Sequence, residues 1–225
     1  MRPRIIVHNA VSLDLKLTGF DVDMELYYGL AAQWKEDATL AGSATILAAP
    51  GEAPPETEAD LIPPVPVPGE RRAVLVIPDS RGRVRIWHYL RQLPYWRDFI
   101  ALISESTPRD YIDYLEKRHI KYLVCGKERV DLKTAVERLG SEFNIKTIRV
   151  DSGGALITAL LEAGLVDEIS LLVHPVIAGK ESSVSLIHEL NKGKIHLKLC
   201  KAETLDKGLV WLHYVNASEQ GEYSS

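Results

Sequence analysis

Only two of the 225 residues are cysteines, Cys125 and Cys200, and neither belongs to a Cys-x-x-Cys pair or to a Cys/His cluster with metal-ligand spacing. Both read as small buried apolar residues rather than redox groups or metal ligands, and no metal is expected. Basic residues are not in surplus either. Lys and Arg number 27 against 31 Asp and Glu, a net charge of −4, so nothing draws the chain to nucleic acid or to an anionic membrane. The aromatic and basic stretch from Trp87 to Trp96 has no repeated platform on which bases would stack. The opening MRPRIIVHNAVSLD passes from a basic pair straight into a short strand and then an acid. It is neither a signal peptide nor a membrane span, and the expectation is a cytoplasmic protein. The Rossmann fingerprint GxGxxG is missing, because Gly153 and Gly154 are adjacent and the next glycine is Gly164; Gly126-Lys127 is no P-loop. No internal repeat is visible.

What is present is 46% hydrophobic and 26% charged residues over a length that suits one large domain, here residues 1–217, with a polar tail at 218–225. The chain is organised around IKTIRVDSGGALITALLEAGLVDEISLLVHPVIAG, residues 145–179. Ile145 to Val150 reads as a buried strand. Asp151-Ser152-Gly153-Gly154 ends it, and a helix follows at once through Ala155, Leu156 and Leu160 to a terminating Gly164. Glu168 to Val173 is the next strand. A helix N-terminus behind two glycines can hold an anion with its free N–H donors and dipole, and phosphate is the leading candidate. Strand-to-helix turns also use glycine for geometry alone. Asp151 lies at the strand's carboxyl end, where open α/β sheets place their ligands.

Arg4 to Ala10 is expected to be the first strand and Asp23 to Trp34 a covering helix capped by Asp21 or Asp23. Ala38 to Ala41 is a short strand, followed by Gly42-Ser43-Ala44-Thr45. Gly42 permits close backbone approach, and the Ser43 and Thr45 hydroxyls can bond a phosphate or ribose. Residues 49–68 are acidic and proline-rich, and read as an extended surface loop, a lid, a dimer arm or a disordered segment. After a strand at Ala73 to Ile77 comes Asp79-Ser80-Arg81-Gly82-Arg83. A hydroxyl beside Arg81 or Arg83 suits a 2′-phosphate, although Asp-Ser-Arg-Gly is also good turn chemistry. Further strands are expected at Ala101 to Ile103 and Tyr122 to Cys125, and further helices at Arg109 to Arg118 and Val130 to Leu139, with Gly140 past the end of the second. Two antiparallel strands at Lys194 to Cys200 and Gly208 to Val215 close the chain. The alternation gives an α/β fold, a three-layer α/β/α sandwich with a mostly parallel central sheet and antiparallel strands at the C-terminus.

These phrases together resemble the riboflavin-pathway pyrimidine reductases, the reductase domain of the bifunctional deaminase-reductase, which is dihydrofolate-reductase-like. The resemblance rests on Asp151 with Gly153 and Gly154, on Leu160 to Glu168 (LLEAGLVDE), on Pro175, Val176, Ile177 and Gly179, on Ser12-Leu13-Asp14-Leu15-Lys16 where the family has S-L-D-G-K, and on the Gly42 and Asp79-Ser80-Arg81 phrases. It implies a homodimeric NADPH-dependent reductase of a small heterocyclic or sugar-derived substrate. Ala10 would then lie by the nicotinamide and His8 near a position where some relatives carry a lysine. Gly153, Gly154, Ala155 and Leu156 would cradle the diphosphate, with Gly42, Ser43, Thr45, Ser80 and Arg81 on other parts of the cofactor. Asp151 would contact the substrate, with Asp151 and His8 as the candidate catalytic pair. Leu15, Gln33 and Ala49 depart from the family pattern. They keep two alternatives open: a nucleotide-binding relative that has lost or changed catalysis, and a reductase of a non-phosphorylated substrate.

Overall fold

Backbone groups in the apolar runs find their partners in parallel ladders, as expected of strands buried on both faces. The computed structural model describes residues 1–49, 51–65, 67–191 and 193–217. The polar tail expected at 218–225 lies outside the described residues. In chain order the strands are β1 (Arg4–Val11), β2 (Ala38–Leu40), β3 (Ala73–Pro78), β4 (Trp96–Ile103), β5 (Lys121–Val124), β6 (Thr147–Val150), β7 (Glu168–Val173), β8 (Leu197–Thr204) and β9 (Val210–Asn216). The α-helices are α1 (Met24–Ala31), α2 (Ser43–Ala48), α3 (Trp87–Gln92), α4 (Arg109–Lys117), α5 (Leu132–Phe143) and α6 (Gly154–Glu162). The chain divides into two compact units, the first comprising Met1–Pro3 and Glu36–Ile148, the second Arg4–Lys35 and Arg149–Ser225. Among the described residues no helix is long and apolar enough to cross a membrane.

In the first unit the strand order is β5-β4-β3-β2, every pairing parallel. Leu75, Ile77, Ala101 and Ile103 of β3 and β4 form one core cluster with Trp87 and Leu90 of α3 and Tyr111 and Leu115 of α4. Strand β4 begins five residues before the expected Ala101, because Arg97 and Asp98 interrupt its apolar pattern without interrupting its pairing with β3. Asp37 sets the start of β6. Its carboxylate accepts the N–H groups of Lys146 and Thr147 at 2.8 and 3.0 Å.

Helix α5 corrects the expectation at Gly140. Asp131 caps it, accepting from Lys133 and Thr134, and the helix runs through Gly140 and ends at Asn144, which adopts a left-handed φ of 53°. A Cβ on Gly140 would lie 2.7 Å from the Met1 carbonyl oxygen and 2.9 Å from the Pro3 ring, so the glycine admits the N-terminal segment rather than stopping the helix. The proline-rich loop is not free chain. Glu56 forms a bidentate pair with Arg118, whose guanidinium stacks 3.6 Å from the Tyr114 ring centre, and the His88 Nε2 bonds the Pro54 carbonyl at 2.8 Å. Glu56, one of the acids of this loop, is thus paired within the protein.

In the second unit β1 pairs in parallel with β7, from Ile6 opposite Glu168 to Val11 opposite Val173, and β9 pairs antiparallel with both β7 and β8. The expected antiparallel ending is therefore found. Asp23 is the α1 cap, accepting from the Leu26 N–H at 3.1 Å. Strand β8 starts three residues later than expected and is exposed along nearly its whole length. As an outer strand it carries little burial pattern to read. Cys200 lies on it and is exposed, which corrects the expectation of a buried thiol, whereas Cys125 is buried.

Candidate functional site

Three phrases far apart in sequence meet in the second unit. β1 and β7 leave the sheet side by side, Val11 opposite Val173. The loop after β1 folds on itself: the Ser12 N–H bonds the Lys16 carbonyl at 3.0 Å, the Ser12 hydroxyl accepts from the Lys16 N–H at 2.9 Å and donates to Asp14 at 2.6 Å. The Asp14 carboxylate then takes the N–H groups of Ala178 and Gly179, both at 2.9 Å. The Ser12 hydrogen bond first, and these two N–H donors with it, hold the Asp14 carboxyl down to about 2. Lys16 continues the join, its Nζ donating to Ser185 Oγ at 3.0 Å. Ser185 in turn packs on α6, where a Cβ on Gly154 would lie 2.2 Å from the Ser185 carbonyl oxygen and 2.9 Å from the His188 ring. The second glycine of the pair is therefore required by this chain's own packing.

Leu15 occupies the family's glycine position with a φ of 55°. That is the left-handed backbone that glycine adopts freely and that a leucine adopts at a cost. The Leu15 side chain is 46% exposed.

Helix α6 begins behind Gly153, whose extended backbone leads into it, and no side chain caps its first turn. The free donors and dipole there suit an anionic group. Asp151, just upstream, is half-buried and paired with Arg149, Nη1 to Oδ2 at 2.9 Å. Arg149 is on β6 and Asp151 lies just past the strand's end. Arg149 is 5% exposed, and its guanidinium lies 5.9 Å from the Tyr28 ring centre. The buried Asn9 donates from Nδ2 to the Ser152 carbonyl at 3.2 Å and steadies the same turn. Sequence reasoning missed both Arg149 and Asn9. A charged residue inside the apolar run of β6 was the available signal for Arg149, and Asn9 had none.

His8 fares differently. It is wholly buried, with Nε2 3.0 Å from the Tyr27 carbonyl and Nδ1 2.9 Å from the Ser170 hydroxyl. A carbonyl only accepts, so Nε2 carries the proton and Nδ1 accepts from Ser170, whose oxygen also receives the Trp211 indole N–H at 2.9 Å. Burial lowers the ring to about 4 against a partial offset from the Tyr27 carbonyl. A neutral imidazole with both nitrogens used and a Tyr27 ring stacked 4.4 Å away is packed as a core element in this structure. Ala10 is also buried, in the cluster of Tyr27, Leu172 and Leu209.

The remaining expected residues lie in the first unit. Gly42 precedes α2, and the buried Ser43 accepts from Arg83 Nη2 at 2.8 Å. Arg83, rather than Arg81, is the guanidinium that reaches Ser43, while Arg81 and Thr45 are exposed. The Ser80 hydroxyl accepts the Val130 N–H at 2.9 Å and its carbonyl accepts from Thr107 at 2.9 Å. That serine is committed to the turn.

Residues 3–211 match the sequence model of the RibD C-terminal domain. Over 219 residues the chain is 28% identical to a protein of Archaeoglobus fulgidus named 2,5-diamino-6-ribosylamino-4(3H)-pyrimidinone 5′-phosphate reductase, covering 92% of this chain and 94% of that one. Among solved structures, Acinetobacter baumannii RibD is similar at a TM-score of 0.68 and 17% identity over 96% of this chain, which spans 58% of that protein's length. The riboflavin biosynthesis reductase Rib7 of Saccharomyces cerevisiae is similar at a TM-score of 0.66 and 19% identity, over 96% of this chain and 90% of that one. At these identities the two structures speak for the fold.

Proposed function

This chain belongs to the RibD C-terminal domain family, and from that premise we propose that it is an oxidoreductase of riboflavin biosynthesis that reduces 2,5-diamino-6-ribosylamino-4(3H)-pyrimidinone 5′-phosphate with NADPH. The observation that carries the reading is the assembly of the Ser12 to Lys16, Gly153-Gly154 and Pro175 to Gly179 segments through Asp14, Lys16 and Ser185. The uncapped first turn of α6 fits the anionic diphosphate, which the N–H donors of Ala155 and Leu156 would hold. In the first unit the Ser43 hydroxyl with Arg83, and the exposed Thr45 and Arg81, offer donors of the kind a phosphate takes. When bound, NADPH supplies the hydride.

The protein's own part is orientation. Asp151 presents one carboxylate edge to Arg149 and keeps the rest as acceptor for substrate N–H or O–H groups, while Tyr27, Tyr28 and the neutral His8 form the packed support of that face. Burial, and after it the negative charge of Asp151, pushes the Tyr27 phenol well up, so it stays protonated and donates to the His8 carbonyl at 2.8 Å. Residues 1–217 would act as one reductase-like domain, in a cytoplasmic homodimer, as the family resemblance supports.

The test is the loss of NADPH absorbance when the pyrimidinone phosphate is added to the purified protein, with NADH alongside. Binding of both ligands without oxidation of either dinucleotide would sink the proposal in favour of a relative that has lost or changed catalysis.

A further inference from the structure

Leu15 is held in a backbone conformation costly for a leucine, in a turn that its N–H closes onto the Ser12 carbonyl at 3.0 Å. A left-handed φ costs a non-glycine residue about 1–2 kcal/mol, and the hydrogen bonds around Ser12 and Asp14 keep it there at 55°. Strain of this kind persists where surrounding structure over-determines it, and it clusters where a ligand is gripped. The side chain does not recover that cost by burial. Nor do its apolar neighbours on the same pair of joined segments: Leu13 and Ile177 are 61% and 72% exposed. The segments are tied by the Leu13 N–H to the Val176 carbonyl at 2.8 Å and the Leu186 N–H to the Leu15 carbonyl at 2.9 Å. They leave the carboxyl ends of β1 and β7, two parallel neighbours, and that end of an α/β sheet is where ligands lie.

We propose that Leu15 is a specificity-determining contact, its side chain lying against the flat ring of a bound heterocycle, with Leu13 and Ile177 widening the same apolar lip. The inference rests on the reductase reading only for the identity of the two rings on offer, the nicotinamide of the cofactor and the pyrimidine of the substrate. A leucyl side chain meets either ring through dispersion and excluded water, so the chemistry is shared and the source is decided by experiment.

Two variants separate the side chain from the backbone. Leu15→Ala removes the contact and keeps the strained φ, whereas Leu15→Gly removes both. Calorimetric titration with NADPH, and separately with the pyrimidinone phosphate onto protein saturated with NADP+, gives the two affinities without requiring turnover. Leu15→Ala is expected to bind one of the two about tenfold more weakly, as loss of an apolar contact of this size does, and the ligand affected names the ring. Leu15→Gly should show the same loss with a melting temperature no lower than that of Leu15→Ala. Unchanged affinity of Leu15→Ala for both ligands overturns the proposal, as does weakening in the glycine variant alone, which would assign the effect to loop rigidity. Altered sedimentation of Leu15→Ala with both affinities intact would assign Leu15 to a second copy of the chain and also overturn it. Wild-type protein that binds both ligands but oxidises nothing sinks the reductase reading, and the Leu15 contact then stands or falls on the affinities. Wild-type protein that binds neither sinks both.

Discussion

Two turns in this chain are written almost alike and used in opposite ways. Asp79-Ser80-Arg81-Gly82 follows β3, and Asp151-Ser152-Gly153-Gly154 follows β6. In the first, Asp79 is 2% exposed and its Oδ2 takes the Val84 N–H at 2.8 Å, while the Ser80 hydroxyl takes the Val130 N–H. Asp79 Oδ2 and the serine hydroxyl are spent on closing the turn, while Asp79 Oδ1 is buried with no hydrogen-bond partner among the described residues. In the second, Asp151 keeps part of its carboxylate in solvent, and the helix behind it starts without a side-chain cap. What separates them is the segment that follows. An α-helix offers its first N–H groups outward, whereas the chain after Gly82 turns back over the acid, buries it and bonds one of its oxygens through the Val84 N–H. An Asp-Ser phrase at a strand end is thus open to a ligand only where the following segment leaves the acid in solvent, as at Asp151 and not at Asp79.

The strongest way to break this comparison is to exchange the acids' fates. Asp151→Asn is expected to lower kcat/KM for the pyrimidinone phosphate by about a hundredfold or more, the scale of a positioned ionised group, and to leave the melting temperature within a few degrees. Asp79→Asn should do the reverse. It puts an amide in the buried turn at a cost of about 1–3 kcal/mol in urea unfolding and leaves kcat/KM per folded molecule close to wild type. A stable, inactive Asp79→Asn protein would show that the first turn also faces a ligand.

A second pair sharpens the comparison at the fourth residue, glycine in both turns. Gly82 has a φ of 64° and a Cβ there would lie 2.6 Å from the Tyr111 ring; a Cβ on Gly154 would lie 2.2 Å from the Ser185 carbonyl oxygen. Both glycines are closed by the protein itself. Gly154→Ala and Gly82→Ala are each expected to lose roughly 2–3 kcal/mol of stability by overpacking and, at Gly82, by backbone strain, measured by urea unfolding. Were Gly154→Ala to unfold at the wild-type midpoint while losing NADPH, the space at Gly154 would belong to the ligand rather than to residues 185–188.

Much of this was legible in the sequence, and the misses have physical reasons. The run from β6 through α6 to β7 could be read because a β-branched strand, a glycine turn, a 3.6-residue stripe and a second apolar strand each carry their own periodicity. Gly140 was misread because a glycine that admits another segment looks the same, in sequence, as one that ends a helix. His8 and Asp151 could not be ranked from sequence, since burial of the one and partial exposure of the other are set by Tyr27, Ser170 and Arg149. The Asp14 link to Ala178 and Gly179 spans 164 residues, and only the two phrases at its ends were visible.

The buried imidazole makes the third contrast measurable by pH. The His8 ring is brought from 6.5 to about 4 by burial, so the unfolded chain takes up a proton in a range where the folded one does not. Stability from this source is complete above pH 6.5 and falls as pH drops toward 4, by about 3 kcal/mol in all. His8→Gln should flatten that part of the urea-midpoint profile and leave kcat/KM within a few-fold. A profile that keeps its slope, with activity lost, would return His8 to the ligand-facing groups.

Asp14 supplies the smallest effect and the finest division, because its window lies below that of His8. Its carboxyl is lowered from 3.8 to about 2 by the Ser12 hydroxyl first and by the Ala178 and Gly179 N–H groups. A folded-state value below the unfolded one means stability that is present above pH 3.8 and is lost as pH falls toward 2. The carboxylate is solvated, so the amount is small, but its consequence is local: protonation releases the Pro175 to Gly179 segment from the Ser12 to Lys16 loop. Melting curves of wild type and Asp14→Asn should differ at pH 5 and converge as pH approaches 2, with amide exchange at Ala178 and Gly179 rising in the variant throughout. Convergence already complete at pH 5, or Gly179 exchange unaffected by the substitution, would mean that the two segments are held together by Lys16 and Ser185 alone, and that the Asp14 hydrogen bonds are a consequence of the join rather than its cause.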